Sequence, residues 1–123
     1  MPFESCVFDS DDATHTIHLG IYISEELIGV CSFFKNNFIK IPVENQYQLR
    51  GMAVLSEFQN KGFGKVLLSE SESLLKNKNT NLIWCNAREI AVNFYKQNGY
   101  KVIGDPFIIK EIGLHYVMFK TIA

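Results

Sequence analysis

The stretch Glu57 to Leu68, EFQNKGFGKVLL, sets two glycines between two lysines and then turns apolar. Glycine near a helix costs roughly 1 kcal/mol relative to alanine, so a pair at a helix mouth implies a compensating use. A helix start leaves its first N–H groups unpaired and carries partial positive charge. Without side chains at Gly62 and Gly64, those N–H groups converge on one point, and the natural occupant is a phosphate or pyrophosphate. Lys61 and Lys65 add charge at the rim.

Spelling excludes two phosphate loops. The nucleotide loop G-x-x-x-x-G-K-[ST] needs a glycine where Gln59 stands and a magnesium-binding hydroxyl where Val66 follows Lys65. The dinucleotide fingerprint G-x-G-x-x-G fails because Leu67 holds the place of its third glycine. Other constellations are weaker. FDSDDATHTIH, residues 8 to 18, invites a metal reading, but Ala13 stands where a calcium loop needs a ligand. His15 and His18 lack a helix that would align them as zinc ligands. No metal is expected. Cys85 has no histidine partner at motif level and reads as a buried strand residue.

The elements that must position the glycine loop follow from periodicity. Residues 16–23 and 27–34 are rich in β-branched and aromatic residues around Ser24-Glu25-Glu26, which predicts a hairpin. Asn36, Asn37, Pro42 and Asn45 mark a loop, and residues 47–54 alternate as a third strand. Phe63, Val66, Leu67, Leu74 and Leu75 line one face of a helix that ends at KNKNTN, residues 76–81. Leu82 to Cys85 reads as a strand buried on both faces. Asn86 is expected to cap a second helix, with Ile90, Ala91, Phe94 and Tyr95 on its apolar face and Asn98-Gly99 as its stop. Two strands complete the chain, near 100–103 and 114–120, turning at Gly104-Asp105-Pro106. The expected class is α/β (α+β), a mixed central sheet in β-β-β-α-β-α-β-β order.

The 123 residues make one domain, 1–123, with 47% hydrophobic and 20% charged residues. A formal net charge of −1 gives no general pull toward nucleic acid or an anionic membrane. Three cysteines, Cys6, Cys31 and Cys85, match no disulfide or zinc framework. They read as small buried hydrophobes in a reducing, cytoplasmic setting. The N-terminus has no signal-peptide pattern, and no apolar run is long enough to span a bilayer.

Three blocks together resemble the GNAT acyltransferase superfamily over residues 16 to 120. Gln59-Asn60-Lys61-Gly62-Phe63-Gly64 matches its Q/R-x-x-G-x-G/A signature, and Leu49 to Val54 is similar to the strand preceding that loop. Asn86-Ala87-Arg88, Ala91 to Tyr95 and Asn98-Gly99-Tyr100 resemble its second block, N-A-R-x-x-A-x-x-F-Y-x-x-x-G-F. The resemblance implies transfer of an acetyl group from acetyl-CoA to a primary amine, by direct attack in a ternary complex. It places the pyrophosphate on Gln59, Asn60, Lys61, Gly62, Phe63, Gly64 and Lys65. It places the pantetheine arm along Met52, Ala53 and Val54, with Asn86 and Asn93 on its amides. Gly51 is expected to mark a bulge that frees strand N–H groups, one of which could hold the thioester oxygen. Tyr95 is implied as the acid that protonates the leaving thiolate. For the base, Glu44, Glu111 and His115 are candidates, and His115 is preferred because imidazole titrates near working pH.

The family pattern begins with a strand and two helices before the hairpin, which this chain is expected to lack. A short strand over residues 3–8 is the most its N-terminus offers. Residues 16–23 are then an edge strand, and a homodimer through that edge is expected. The gap leaves a second reading open, a non-catalytic acyl-CoA-binding domain with an incomplete acceptor site.

Overall fold

The computed structural model describes residues 5–12 and 16–122. The strands are β1 (Ser5–Asp12), β2 (Thr16–Ile23), β3 (Glu26–Lys35), β4 (Gln46–Val54), β5 (Leu82–Arg88), β6 (Lys101–Ile109) and β7 (Gly113–Thr121). Two helices, α1 (Phe63–Lys76) and α2 (Val92–Gln97), follow β4 and β5, each after a short 3₁₀ turn. All seven strands form one sheet in the order β1-β2-β3-β4-β5-β7-β6. Among the described residues only the β4–β5 pair is parallel, as the intervening helical crossover requires.

The mixed sheet and its two helices match the expected class, with one strand more. β1 pairs along β2 from Ser5↔Tyr22 to Asp12↔Thr16. Residues 16–23 are therefore flanked on both sides, and the expectation that they form an edge is corrected. The terminal strands are β1 and β6. The β2–β3 hairpin turns through Ser24 and Glu25, both at positive φ (49° and 70°), the backbone that a two-residue turn demands.

Two helix and turn expectations also change. Asn86, Ala87 and Arg88 extend β5, in register with Val117, Tyr116 and His115 of β7. The ladder outcompetes the capping preference of Asn86, so α2 starts only at Val92. Ile90 is accordingly 84% exposed rather than part of an apolar face. Gly104-Asp105-Pro106 lies inside β6 as an irregularity between Ile103 and Phe107. The turn into β7 runs instead through Glu111 (φ 70°).

Alternation along the strands gives the sheet two differently dressed faces. On the helical face, Ile17, Leu19, Cys31, Phe33, Tyr47, Leu49, Ile83, Cys85 and Met118 pack with Phe63, Leu67, Leu68 and Leu75 of α1 and Tyr95 of α2. The other face carries a smaller cluster of Leu82, Trp84 and Val117, covered by Phe38, Ile41, Ile103, Phe107 and Phe119. The 36–45 loop is held onto it by the Trp84 indole N–H, which donates to the Asn36 carbonyl at 2.8 Å. Gln46, 0% exposed, satisfies its amide by accepting from Phe38 N–H and donating to the Ile41 and Val43 carbonyls. Cys31 and Cys85 are buried, as expected, while the side chain of Cys6 and all of His15 lie outside the described residues.

The feature that positions the site is a divergence. β4 and β5 pair only from Gln46↔Leu82 to Leu49↔Cys85. Beyond that point β4 continues beside β3 to Val54, and β5 continues beside β7 to Arg88. The register of β3 and β4 shifts between Ser32↔Gly51 and Phe33↔Leu49, leaving Arg50 unopposed. This is the bulge expected at Gly51, and it bends β4 away from β5.

Candidate functional site

A cleft of about 560 Å³ opens where β4 ends and α1 begins. Of the residues expected to bind coenzyme, Met52, Ala53, Val54, Gln59, Asn60, Gly62, Gly64 and Lys65 line it. Phe58, Ala91, Phe94, Gln97 and Asn98 line it too; Ala91, Phe94 and Asn98 belong to the second block of the resemblance, where no binding role was expected of them, and Phe58 and Gln97 were not candidates. Ala91, Phe94, Gln97 and Asn98 come from α2 and its two ends, across the cleft from the glycine loop, and Phe58 from the 3₁₀ turn after β4. Periodicity could have placed Phe94 on a buried face, though not against this particular loop.

Each glycine in the loop has a separate reason. Gly62 is the residue before α1 and sits at φ 86°, a left-handed backbone that side chains resist. No side chain caps α1 there, so its first N–H groups face the cleft without a protein oxygen supplied from the cap. Gly64 lies close to α2: a Cβ there would sit in contact, at 3.4 Å, with two ring carbons of Phe94. Asn60 supplies a further left-handed turn at φ 61°. The Gln59 amide donates to the Val54 carbonyl at 2.9 Å, tying the loop to the last residue of β4.

The remaining candidates fall elsewhere. Lys61 lies with its ammonium 5.9 Å above the Phe58 ring, at the rim. Phe63 turns its side chain into the core, 4% exposed, so only its backbone can serve a ligand. Asn86 and Asn93 are exposed, and neither they nor Tyr95 are among the residues lining the cleft, where the Tyr95 neighbour Phe94 stands.

Tyr95 is 9% exposed on the helical face, with Phe94 and Tyr100 edge-on at 5.3 and 5.5 Å. Burial, reinforced by the Cys85 and Cys31 thiols, raises its phenol pKa above the ordinary value of 10. The hydroxyl therefore stays protonated across the working range, the form an acid requires. Burial likewise pushes the Cys85 thiol up to about 12, leaving it a poor nucleophile.

His115 is buried on β7, with Nδ1 2.8 Å from the Gly113 carbonyl oxygen and its ring 5.7 Å from that of Phe107. Its neighbours along the strand, Val117 and Phe119, belong to the face away from the helices. The structure thus does not bring His115 together with Tyr95 or with the cleft. Glu44 and Glu111 are exposed loop residues. Among the described residues no group of three metal-ligating side chains is present, and no helix is long and apolar enough to cross a membrane.

A sheet opened between two parallel strands, with an uncapped helix start at the opening, defines a domain suited to a long phosphate-bearing ligand. The sequence matches the model of the acetyltransferase (GNAT) family over residues 2–100. It is 34% identical over 119 residues to a Bacillus subtilis (strain 168) protein named "Uncharacterized N-acetyltransferase YitI", covering 97% of this chain and 80% of that one. Two solved structures share the fold. PaiA N-acetyltransferase from Thermoplasma acidophilum, in complex with coenzyme A, has a TM-score of 0.67 at 23% identity, covering 87% of this chain and 61% of that one. An aminoglycoside 6'-N-acetyltransferase complexed with coenzyme A has a TM-score of 0.76 at 17% identity, covering 89% of this chain and 74% of that one. The chain belongs to the acetyltransferase (GNAT) family, and its activity is acetyl-CoA-dependent acetyl transfer.

Proposed function

We propose that this chain moves the acetyl group of acetyl-CoA to a primary amine by direct attack in a ternary complex. The observation that carries the reading is the meeting of the β4–β5 divergence with the uncapped, glycine-freed start of α1 in one cleft. In this reading the backbone of residues 59–65 holds the pyrophosphate, with Lys65 and Lys61 neutralising its charge. Met52, Ala53 and Val54 lie on the stretch of β4 that has no β5 partner. Their free backbone groups pair with the pantetheine amides, and an N–H there steadies the thioester oxygen as charge develops. Asn98 and Gln97 supply side-chain amides from the opposite wall, where the sequence had suggested Asn86 and Asn93.

Tyr95 acts as the acid. Its buried phenol donates a proton to the thiolate as the carbon–sulfur bond breaks, which spares a thiolate anion in an apolar setting. Cytoplasmic residence, and the absence of nucleic-acid and membrane partners, fit the charge and composition. A homodimer built by strand pairing would use β1 or β6, the sheet's terminal strands. The test is release of free coenzyme thiol from acetyl-CoA in the presence of amine probes: phenethylamine, spermidine and kanamycin. Amine-dependent release supports the reading. Tight coenzyme binding without release under any of them favours the non-catalytic alternative.

A further inference from the structure

The helical face supplies an acid, but the amine must also lose a proton, and the base expected from the sequence does not reach the cleft. The opposite face of the sheet offers another. His18 and Ser32 are directly opposed on β2 and β3, with His18 Nδ1 2.7 Å from Ser32 Oγ. Ser32 in turn is opposed to Gly51 on β4, one strand spacing of about 4.8 Å away. Gly51 lies just past the last β4–β5 pair, Leu49↔Cys85, so this line of residues ends at the divergence itself.

The face assignment follows from alternation. Ile17 and Leu19, on either side of His18, lie in the core shared with Tyr95, and so do Cys31 and Phe33, on either side of Ser32. His18 and Ser32 therefore stand on the far face from Tyr95. That face is open at this point. His18, Tyr22, Leu27, Val30 and Ser32 help to line a groove of about 360 Å³. A Cβ at Gly51 would meet nothing within 4 Å, so the space beside Gly51 on this face is open.

The geometry points to Ser32 and His18 as the route by which the amine loses its proton, with the acceptor entering from the far face of the sheet. This rests on the acetyltransferase reading above and supplies the step it lacks. The amine arrives as an ammonium, since its reference pKa lies about three units above neutral. One N–H proton passes to Ser32 Oγ as the Ser32 proton passes to His18 Nδ1, freeing the nitrogen lone pair. That pair forms the C–N bond, the C–S bond breaks, and the sulfur takes the Tyr95 proton. The second nitrogen proton restores Tyr95, and His18 returns its proton to water. Acid and base thus act from opposite sides of the bond being exchanged.

His18 has neighbours on the flanking strands. Asp9 of β1 stands opposite it in register. On β3, Phe34 lies edge-on at 6.5 Å, and from β4 the Arg50 guanidinium lies 5.2 Å above the Phe34 ring. Ser32 is the catalytic residue of the pair, and His18 acts through it.

The test compares wild type, S32A, S32T and H18Q over pH 5–10, reading thiol release with phenethylamine, spermidine and kanamycin. In S32A and H18Q, kcat is expected to fall roughly 10²-fold, with KM for acetyl-CoA unchanged. Wild-type kcat/KM for the amine is expected to reach its plateau at a lower pH than in S32A and H18Q. In the two variants it keeps rising toward the ionisation of the amine itself. S32T, which keeps a hydroxyl on a strand-compatible side chain, restores most of the rate. Wild-type rates and pH profile in H18Q and S32A overturn the proposal and leave the acetyltransferase reading standing. Absence of turnover in wild type, with acetyl-CoA bound, overturns both.

Discussion

Gly64 and Phe94 face each other across the cleft so closely that a Cβ at 64 would lie 3.4 Å from two carbons of the ring. One residue comes from the first turn of α1 and the other from α2, so their separation sets the width of the cleft where the pyrophosphate is proposed to sit. Gly64→Ala fits at ordinary contact distance, whereas Gly64→Val does not. The valine variant is expected to lose about tenfold or more in acetyl-CoA affinity, ~1.4 kcal/mol. Calorimetric titration reads this directly, and alanine should fall between valine and wild type.

Gly62 carries a different constraint, its left-handed backbone. Gly62→Ala is expected to cost about 1–2 kcal/mol of stability and to lower affinity for free coenzyme A as well as for acetyl-CoA. Chemical denaturation and titration separate the two effects.

Tyr95→Phe removes the hydroxyl proposed as the acid and leaves the ring. Its hydroxyl makes no hydrogen bond among the described residues, so stability should change little. Turnover should fall roughly 10²- to 10⁴-fold at nearly constant coenzyme affinity. Steady-state thiol release with the amine probes checks the split.

Alkaline pH should destabilise the fold. Tyr47, Tyr95, Tyr100 and Cys85 all have raised pKa values, with burial the first cause of each and the Glu72 carboxylate adding to it at Tyr100. The folded chain therefore holds protons that the unfolded chain releases above the ordinary values of 9.0 and 10.0. Their stabilising effect is complete below those values and is lost as pH rises through and beyond them. The unfolding midpoint, measured from pH 7 to 11, should drop from about pH 9 upward.

Glu72 joins three elements: it accepts from the Tyr100 hydroxyl and from Lys120 Nζ, each at 2.9 Å. Lys120 also donates to the Asn98 carbonyl at 3.0 Å, at the end of the wall that α2 gives the cleft. Glu72→Ala leaves two donors without their acceptor and is expected to cost about 1–3 kcal/mol, read as a lowered denaturation midpoint.

The glycine loop and the divergence were legible because they rest on local chemistry. Gly62 meets a left-handed backbone demand that side chains resist, and Gly51 lies at the β4 bulge where the ladder with β5 ends. What escaped is what pairing and distant contacts decide. Asn86 has the chemistry of a cap, yet three rungs with β7 keep it in a strand. Phe94 looks like a core residue, and only the fold turns it toward Gly64. His115 has the right chemistry for a base, but strand alternation puts it under Phe107. His18 falls within the strand expected over 16–23, but only the register with Ser32 and Gly51 gives it a direction.

The most direct measurement is the thermal unfolding midpoint with acetyl-CoA, free coenzyme A and ATP at matched concentrations. A ligand at one hundred times its Kd that binds only the folded state adds about 2.7 kcal/mol. The account predicts an upward shift of several degrees with both coenzyme forms and little with ATP, and loss of the coenzyme shifts in Gly64→Val. Equal shifts with ATP, or none with either coenzyme form, would contradict it.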